Sequence, residues 1–500
     1  MSDCNGLDLK IPKSFKTLNG LDISNIRRHR KEYRGDPIFL SEFYPGWLEC
    51  WGWPNLAGFP PMLVTYQHAL WVLAEGAMFN YYVFHGGTHF EHWAARTAKS
   101  DDAFIMTRYY SEAPLAEGGT LSERYFAAKS GGVIASNFHN FLATAEPVAA
   151  PLIVAGPVRA CAWRSAQGVL QFILPQNAIS ARESYRNDGL PPFLSMVENR
   201  PLAELNQQPG ALTLPSGRVV PLAEGSAFPI MAPVGYAVDA DCRIDYSNAT
   251  VFGIVGPTQR RTLLLRGEAG RSGIISVNRR ELEFVFPANE QLEMSAGAIH
   301  ILALPRELAD RTWFADNRVL IGPAYVGDQH NGAHECYVDG STSRVSVIAP
   351  SGERTTHAVG ASPIPLGLLK LASWSAQPIP ELTGGGEWRN IAGPKPAEEL
   401  SVPYGYTWYR AAVRSETTRK TFMYAPKAAD RIHVFRSGKR LALFGVGPGR
   451  RVIPLRSNST AARTSLSSSA ITWAARERAR RRPTSRAYSA MFMSMSRSRR

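Results

Sequence analysis

A short apolar run, Pro37-Ile38-Phe39-Leu40, ends two residues later in a single carboxylate, Glu42, and a turn full of rings follows at once: Tyr44-Pro45-Gly46-Trp47, then Trp51 and Trp53. Bulky residues in unbroken succession suit a strand covered on both faces, and Pro45-Gly46 stops it. Strands of that kind belong to parallel sheets, and where such sheets close into barrels the chemistry sits at the C-terminal ends of the strands. Glu42 occupies such an end. A floor of Tyr44, Trp47, Trp51 and Trp53 suits a substrate with an apolar face and hydroxyl edges, which describes a sugar. The competing reading is a solvated glutamate beside core aromatics.

The neighbouring sequence supports alternation of helix and strand. Residues 22 to 34 open on the capping residue Asp22 and predict a helix with a basic outer face. Leu63, Tyr66, Leu70, Leu73 and Ala77 recur at helical spacing over Met62 to Glu75, and Gly76 ends that helix. Phe79 to Phe84 reads as a second strand, with Phe39, Phe43, Tyr82 and Phe84 expected on the inner side of a barrel wall. Ser122 to Leu142 reads as a helix interrupted at Gly131-Gly132.

Two further stretches accompany the Glu42 strand: Asn80-Tyr81-Tyr82-Val83-Phe84-His85-Gly86-Gly87-Thr88-His89-Phe90, and Ala113-Pro114-Leu115-Ala116-Glu117-Gly118-Gly119 followed by Glu123-Arg124-Tyr125-Phe126-Ala127. All three in this order within about ninety residues resemble glycoside hydrolase family 35, the family typified by β-galactosidases. The resemblance implies retaining hydrolysis of terminal β-galactosides, a β-galactoside or oligosaccharide substrate, and neither metal nor organic cofactor. Glu42 falls on the family's nucleophile. Trp47 and Tyr82 fall on positions that contact the galactose unit, whereas the family's further tyrosine before Ala-Pro-Leu aligns on Ser111, a place Tyr109 or Tyr110 would fill.

The same resemblance implies what should also be present. A retaining glycosidase needs a second carboxyl group about 5 to 5.5 Å from the first. The family's acid/base is the second glutamate of a Glu-Asn-Glu-Tyr-Gly-like stretch upstream of the nucleophile, and none precedes Glu42. Val197-Glu198-Asn199-Arg200 lies downstream with arginine in the acid's place, a chance likeness. Asp36 enters the Glu42 strand from the far end, roughly 20 Å away at about 3.3 Å per residue, and Glu75 precedes the next strand on the same wrong side. Glu91 and Glu112 follow that strand and are the carboxylates placed to approach. The expectation is therefore an incomplete chain with impaired or no activity, whose partner would be a separate N-terminal barrel segment. The alternative is a noncatalytic carbohydrate-binding or interaction protein.

Other chemistries fit less well. His85, His89 and His92 have spacings zinc could use, but Gly86-Gly87 breaks any helical arrangement of ligands. His85-Gly86-Gly87 has the look of an esterase oxyanion loop, yet no G-x-S-x-G supplies a nucleophile.

Beyond Pro147 the texture changes to short apolar runs broken by Gly, Pro, Asn and Asp, at 150–155, 168–174, 219–222, 251–255, 261–265, 274–277 and 281–286. That spacing predicts a β-sandwich region. Pro378 to Gly386 reads as a linker, and Tyr404-Gly405-Tyr406-Thr407-Trp408-Tyr409-Arg410 with Ala429 to Lys439 resembles the jelly-roll accessory domain of the family, with Ser437-Gly438 where Asn-Gly is usual. The expected architecture is multidomain α/β plus all-β: the last two strand-helix units of a (β/α)8 barrel over 1–146, a β-sandwich region over 147–377, a truncated jelly roll over 387–456, and a disordered Arg/Ser-rich tail over 457–500.

The tail also explains the charge. Residues 461 to 500 hold ten arginines, one acid and no lysine, a net +9 of the chain's +14, so the body is only mildly basic. The tail reads as a basic arm holding phosphate backbones nonspecifically or as an out-of-frame extension, and no specific nucleic acid is expected. Cys4, Cys50, Cys161, Cys242 and Cys336 form no C-x-x-C pair and are expected to be buried thiols. No apolar segment is long enough to span a bilayer, and the first twenty residues lack the apolar core of a signal peptide, although members of the family are often secreted or periplasmic.

Overall fold

The computed structural model describes residues 2–3, 15–20, 23–44, 61–90, 105–109, 113–176, 209–330, 333–339, 342–359, 375, 387–393, 395, 398–401, 407–413, 419–424, 432–436, 439–444, 455–459, 464–470 and 492–494. Trp47, Glu91, His92, Tyr110, Glu112, the Val197–Arg200 stretch and the linker at 378–386 lie outside them. The chain forms two compact units: Met1–Trp47, Leu56–His85 and Glu112–Gly367, and Leu48–Asn55, Gly86–Ser111 and Leu368–Arg500.

The first unit opens with a parallel sheet in the order Leu18–Asn19, Phe39–Phe43, Met78–Tyr81. Helix Ile23–Glu32 connects the first pair and helix Pro61–Ala74 the second. Two strands were expected, and among the described residues three pair in this sheet, beside a separate two-residue pair of Ser2–Asp3 with Phe15–Lys16. The additional one, Leu18–Asn19, is two residues long with one buried side chain, and so leaves no apolar run in the sequence.

Helix Pro61–Ala74 starts where proline is best tolerated, at a first-turn position whose N–H would have no partner within the helix. It stops before Gly76, whose φ of +62° suits glycine. The helix is buried on nearly every side, as an apolar helix between two layers must be. Val72 joins Leu18, Ile26, Leu40, Phe43 and Ala77 in a small core under the parallel sheet. Leu63, Tyr66, Leu70 and Leu73 face the other way, into the large core of the β region. Phe43 therefore packs with the helix layer, against Phe79 at 5.1 Å and Tyr81 at 5.2 Å, which corrects its expected place on an inner barrel wall.

Helix Glu123–Asn137 runs unbroken through Gly131-Gly132, where an interruption was expected. The reason is close approach: a Cβ on Gly131 would stand 2.7 Å from Ala69 Cβ of helix Pro61–Ala74. The pair of helices meets backbone to backbone at that point. The break falls later, at Phe138, before a second helix over His139–Thr144.

Residues from Glu146 onward are β-rich, and each apolar run picked out in the sequence within that region overlaps a strand. The sheet Ile230–Val234, Gly168–Pro175, Val158–Ser165, Glu146–Val148 is antiparallel throughout. In its central strand Leu170, Phe172 and Leu174 enter the large core, while Ile173 enters a second one with Leu212, Leu222 and Ile230, so the two-residue period feeds two layers. Thr262–Gly267 and Ile299–Pro305 pair in parallel inside an otherwise antiparallel sheet. A hairpin of Tyr325–His330 and Ala333–Tyr337 follows further on.

A buried ionic cluster ties the helices to the β strands. Arg266 is 1% exposed and lies with its guanidinium carbon 4.3 Å from the Tyr66 ring centre. Its Nε donates to Glu224 Oε2 at 3.1 Å and its Nη1 to Asp310 Oδ1 at 2.9 Å. Thr250 Oγ1 donates to Glu224 at 2.8 Å, and Ser130 Oγ of helix Glu123–Asn137 donates to Asp310 at 3.0 Å. Buried charges persist only when paired and hydrogen-bonded in this manner.

In the second unit, strands Thr407–Val413, Thr464–Ala470, Ile432–Arg436 and Lys439–Phe444 form one sheet, in that order, and Leu455–Ser459, Arg419–Tyr424 and Phe492–Ser494 another. Strands 464–470 and 492–494 fall in the Arg/Ser-rich stretch whose composition predicts no structure. Their pairing is backbone to backbone. Of the cysteines within the described residues, Cys242 is buried and Cys161 half-buried, but Cys336 is exposed on the hairpin, correcting the expectation of buried thiols. Among the described residues no helix is long and apolar enough to cross a membrane.

Candidate functional site

Glu42 stands near the C-terminal end of the middle strand of the parallel sheet, half-buried, with its backbone carbonyl accepting from Gly20 N at 2.7 Å. Asn19 is its register partner on the neighbouring strand, so the two side chains lie side by side at the same sheet end. Asn19 Nδ2 donates to Glu42 Oε2 at 2.9 Å, and Tyr44 Oη donates to the same oxygen at 2.8 Å. Asn19 Oδ1 also faces the Tyr44 hydroxyl, whose one proton is shared between that oxygen and Glu42 Oε2. Two donors converging on one carboxylate oxygen fix the plane of the group, which an attacking carboxylate needs.

The backbone beneath is held from both sides. Asn80 Nδ2 donates to Ser41 O at 3.1 Å, and Tyr82 N donates to Phe43 O at 2.9 Å. Thr17 Oγ1 and Ser41 Oγ are 2.8 Å apart on the other flank. Gly20 has φ of +73°, and a Cβ there would stand 3.2 Å from the Tyr44 ring, so the turn after Asn19 leaves room for the tyrosine to lie over it.

Tyr82 follows the next strand, 38% exposed, with its ring edge-on to Tyr44 at 6.1 Å and 74°. The structure thus brings Tyr82 to the Glu42 end through Tyr44. Tyr109 belongs to the second unit, where its N–H donates to Gly87 O at 3.0 Å and its ring meets His89 edge-on at 5.1 Å. Burial pulls the His89 imidazole below its ordinary value. Trp47 and Tyr110 are outside the described residues. Asn19 is the site residue that sequence reasoning missed, while Tyr44, expected as one ring of a substrate floor, donates to the Glu42 carboxylate. Tyr44 was visible as one ring of an aromatic turn, whereas nothing local marks Asn19, whose role arises from strand register.

The other candidates are elsewhere. Glu75 is buried at the opposite end of the sheet, with its Oε1 2.6 Å from Arg27 Nη2 and its Oε2 3.6 Å from Arg30 Nη1. It is a structural ion pair. Asp36 lies on the exposed turn before the Glu42 strand. His85 is exposed with Nε2 3.4 Å from Glu117 O, and among the described residues no three His, Cys, Asp or Glu side chains form a group that could hold a metal ion.

Residues 3–133 match the family described as glycosyl hydrolases family 35. The β-galactosidase of Homo sapiens is 30% identical over 167 residues, which is 33% of this chain and 24% of that protein. The β-galactosidase of Mus musculus is 36% identical over 122 residues, 24% of this chain and 18% of its own length. A β-galactosidase-1-like protein of Mus musculus is 31% identical over 143 residues, 29% of this chain and 21% of its own length. The chain spans between 18% and 24% of the length of these curated relatives.

Proposed function

Residues 3–133 belong to glycosyl hydrolase family 35, and from that premise we propose that this chain carries the nucleophile side of a β-galactosidase-like retaining glycosidase acting on terminal β-galactosides. The observation that carries the reading is the clamp of Asn19 and Tyr44 on Oε2 of Glu42. A carboxylate held at a strand's C-terminal end by two neutral donors, with the partly exposed Tyr82 ring beside it, is arranged to attack an anomeric carbon. Glu42 forms the bond to that carbon as the bond to the departing oxygen breaks, and water then hydrolyses the glycosyl-enzyme.

Protonation of the departing oxygen falls to a second carboxyl group about 5 to 5.5 Å from the first. No Glu-Asn-Glu-Tyr-Gly-like stretch precedes Glu42 in this sequence; a barrel segment carrying one would supply that group and complete the parallel sheet as a (β/α)8 wall. The three parallel strands and their two connecting helices are what supports a partial barrel; the β-rich region after Glu146 supports accessory β domains, with a truncated jelly roll over 387–456. Without the acid, hydrolysis of an unactivated galactoside should fall about 10²- to 10⁴-fold.

Good leaving groups need no acid, which provides the test. A 2-fluorinated galactoside with an activated leaving group should add one sugar mass to the intact chain, at Glu42 by peptide mapping, and Glu42→Gln should abolish the addition. Labelling elsewhere, or undiminished labelling of Glu42→Gln, would end the proposal. No labelling combined with retained galactoside binding would leave the noncatalytic carbohydrate-binding reading in its place.

A further inference from the structure

At the opposite end of the parallel sheet from Glu42, three arginines from two elements of the first unit converge on one carboxylate. Helix Ile23–Glu32 brings Arg27 and Arg30, and strand Val158–Ser165 brings Arg159. Arg27 Nη2 lies 2.6 Å from Glu75 Oε1, Arg30 Nη1 3.6 Å from Glu75 Oε2, and Arg159 Nη2 3.9 Å from Glu75 Oε1. We propose that the three guanidiniums form a binding site for a phosphate monoester, with Glu75 as the template that gathers them. The site is separate from the galactoside reading of Glu42 and does not depend on it.

Charge separates a site from an ordinary ion pair. One carboxylate faces three guanidiniums, and among the described residues none of the three pairs with a second carboxylate. The C-terminal end of helix Pro61–Ala74 adds about half a negative charge. The thiol of Cys161, 3.6 Å from Ala74 O, adds none, because burial pushes it up to about 11. More than one positive charge is therefore left uncompensated, and it faces solvent. The Glu75 side chain is 9% exposed, whereas Arg27 is 55%, Arg30 38% and Arg159 33% exposed. A buried anion ringed by accessible cations puts the unused charge on the outside, where a ligand can reach it.

The guanidiniums are also held in place. That of Arg159 lies 4.2 Å from the centre of the Trp71 ring and that of Arg30 5.8 Å from the centre of the Trp163 ring. Trp163 is itself anchored, its Nε1 donating to Ala74 O at 2.8 Å. Stacking fixes the planes of the forks, so little ordering is left to be done on binding. Donors remain unused: Arg159 Nε and Nη2 and Trp71 Nε1 are shielded from water without an acceptor. Leaving such groups unpaired is costly, and an oxyanion is the acceptor that planar N–H forks fit best. The charge selects among oxyanions. A phosphate monoester carries about two negative charges and three acceptor oxygens at neutral pH, against one charge for a carboxylate or a sulfate ester.

The test uses the full chain and titration calorimetry with phenyl phosphate and phenyl sulfate, which share a ring and differ in charge. Phenyl phosphate should bind about tenfold tighter than phenyl sulfate. Arg27→Gln and Arg159→Gln should each weaken phenyl phosphate about ten- to a hundredfold. Arg28 lies on the same helix but pairs with Glu32 at 2.9 Å, so Arg28→Gln should bind as the parent does. Glu42→Gln should do so as well, since Glu42 stands at the other sheet end. Arg27 is the most exposed of the three, so Arg27→Gln should keep the parent's melting temperature and decides the matter even if Arg159→Gln does not fold. Equal affinity for the two esters, or equal weakening by Arg27→Gln and Arg28→Gln, would reduce the site to a diffuse basic face and overturn it. So would a parent chain that takes up no phenyl phosphate at millimolar concentration. Loss of binding in Glu42→Gln would place the ester at the galactoside end and overturn the proposal too.

Discussion

The parallel sheet and the β-rich region that follows it differ in what they stand on. The sheet carries Glu42 but owns only a small core, Leu18, Ile26, Leu40, Phe43, Val72 and Ala77. The β region has a core of its own that also absorbs one whole face of helix Pro61–Ala74. The carboxylate is thus positioned by a layer whose stability is borrowed, through one helix, from a region with no evident chemistry. Residues that position a reacting group and residues that keep the group's scaffold folded are separate sets here, and mutations should sort accordingly.

The sharpest way to break this comparison is Arg266→Met. Arg266 holds Glu224 and Asp310, both nearly inaccessible, in one cluster that includes neither Glu42 nor its donors. Removing one partner of a buried ionic group strands the others, at a cost of about 3 to 5 kcal/mol. Urea unfolding should show that loss. If the sheet depends on the β region, fluorosugar labelling at Glu42 should disappear at the same denaturant concentration as the β core. Labelling that outlives the core would show that the sheet stands alone.

A smaller perturbation addresses the joint between the helices. Gly131→Val in helix Glu123–Asn137 would drive a branched side chain into Ala69, where even a Cβ would be at 2.7 Å. Overpacking of this kind costs about 1 to 3 kcal/mol. Paired Gly131→Val and Ala69→Gly should recover part of it, and a single variant as stable as the parent would mean the helices slide apart freely.

What could be read from the sequence follows the range of the interactions concerned. Strands such as Gly168–Pro175 and Phe39–Phe43 are written as local apolar runs, and helix Pro61–Ala74 as a local period, so these elements were legible. Leu18–Asn19 was not, because its strand character comes from the partner it pairs with. Glu42 was legible from its place after an apolar run, but Asn19 became its neighbour only through register across 23 residues. Arg266, Glu224 and Asp310 each look like surface charges in the sequence, 42 and 44 residues apart. Gly131 was misread for a related reason: a glycine pair in a helical pattern signals either a break or a close approach, and only the neighbouring helix decides between them.

The smallest predicted effect is the most specific, because it concerns pH rather than packing. Lys129 lies on helix Glu123–Asn137 with its Nζ over the Trp313 ring, and burial pulls its ammonium down to about 7, with Asp310 pulling the other way. In the unfolded chain the amine has its ordinary value of 10.5. Between those values the unfolded chain binds more protons than the folded one, so rising pH favours folding, by at most about 1.4 kcal/mol per unit. Below about 7 both states hold the proton and this contribution is flat. Cys161 and Cys242 act in the opposite sense: burial raises their thiols from 9.0 to about 11 and about 12, so above 9 the folded state holds more protons and stability falls. The parent should therefore gain stability from about pH 7 to about pH 9 and stop gaining above it. Lys129→Met should lose the rise and keep the alkaline fall, whereas a Cys161→Ala, Cys242→Ala double variant should do the reverse. Urea titrations across that range decide it. A Lys129→Met profile parallel to that of the parent would mean that Nζ reaches water, and that the joint between helix Glu123–Asn137 and Trp313 is open where the comparison requires it closed.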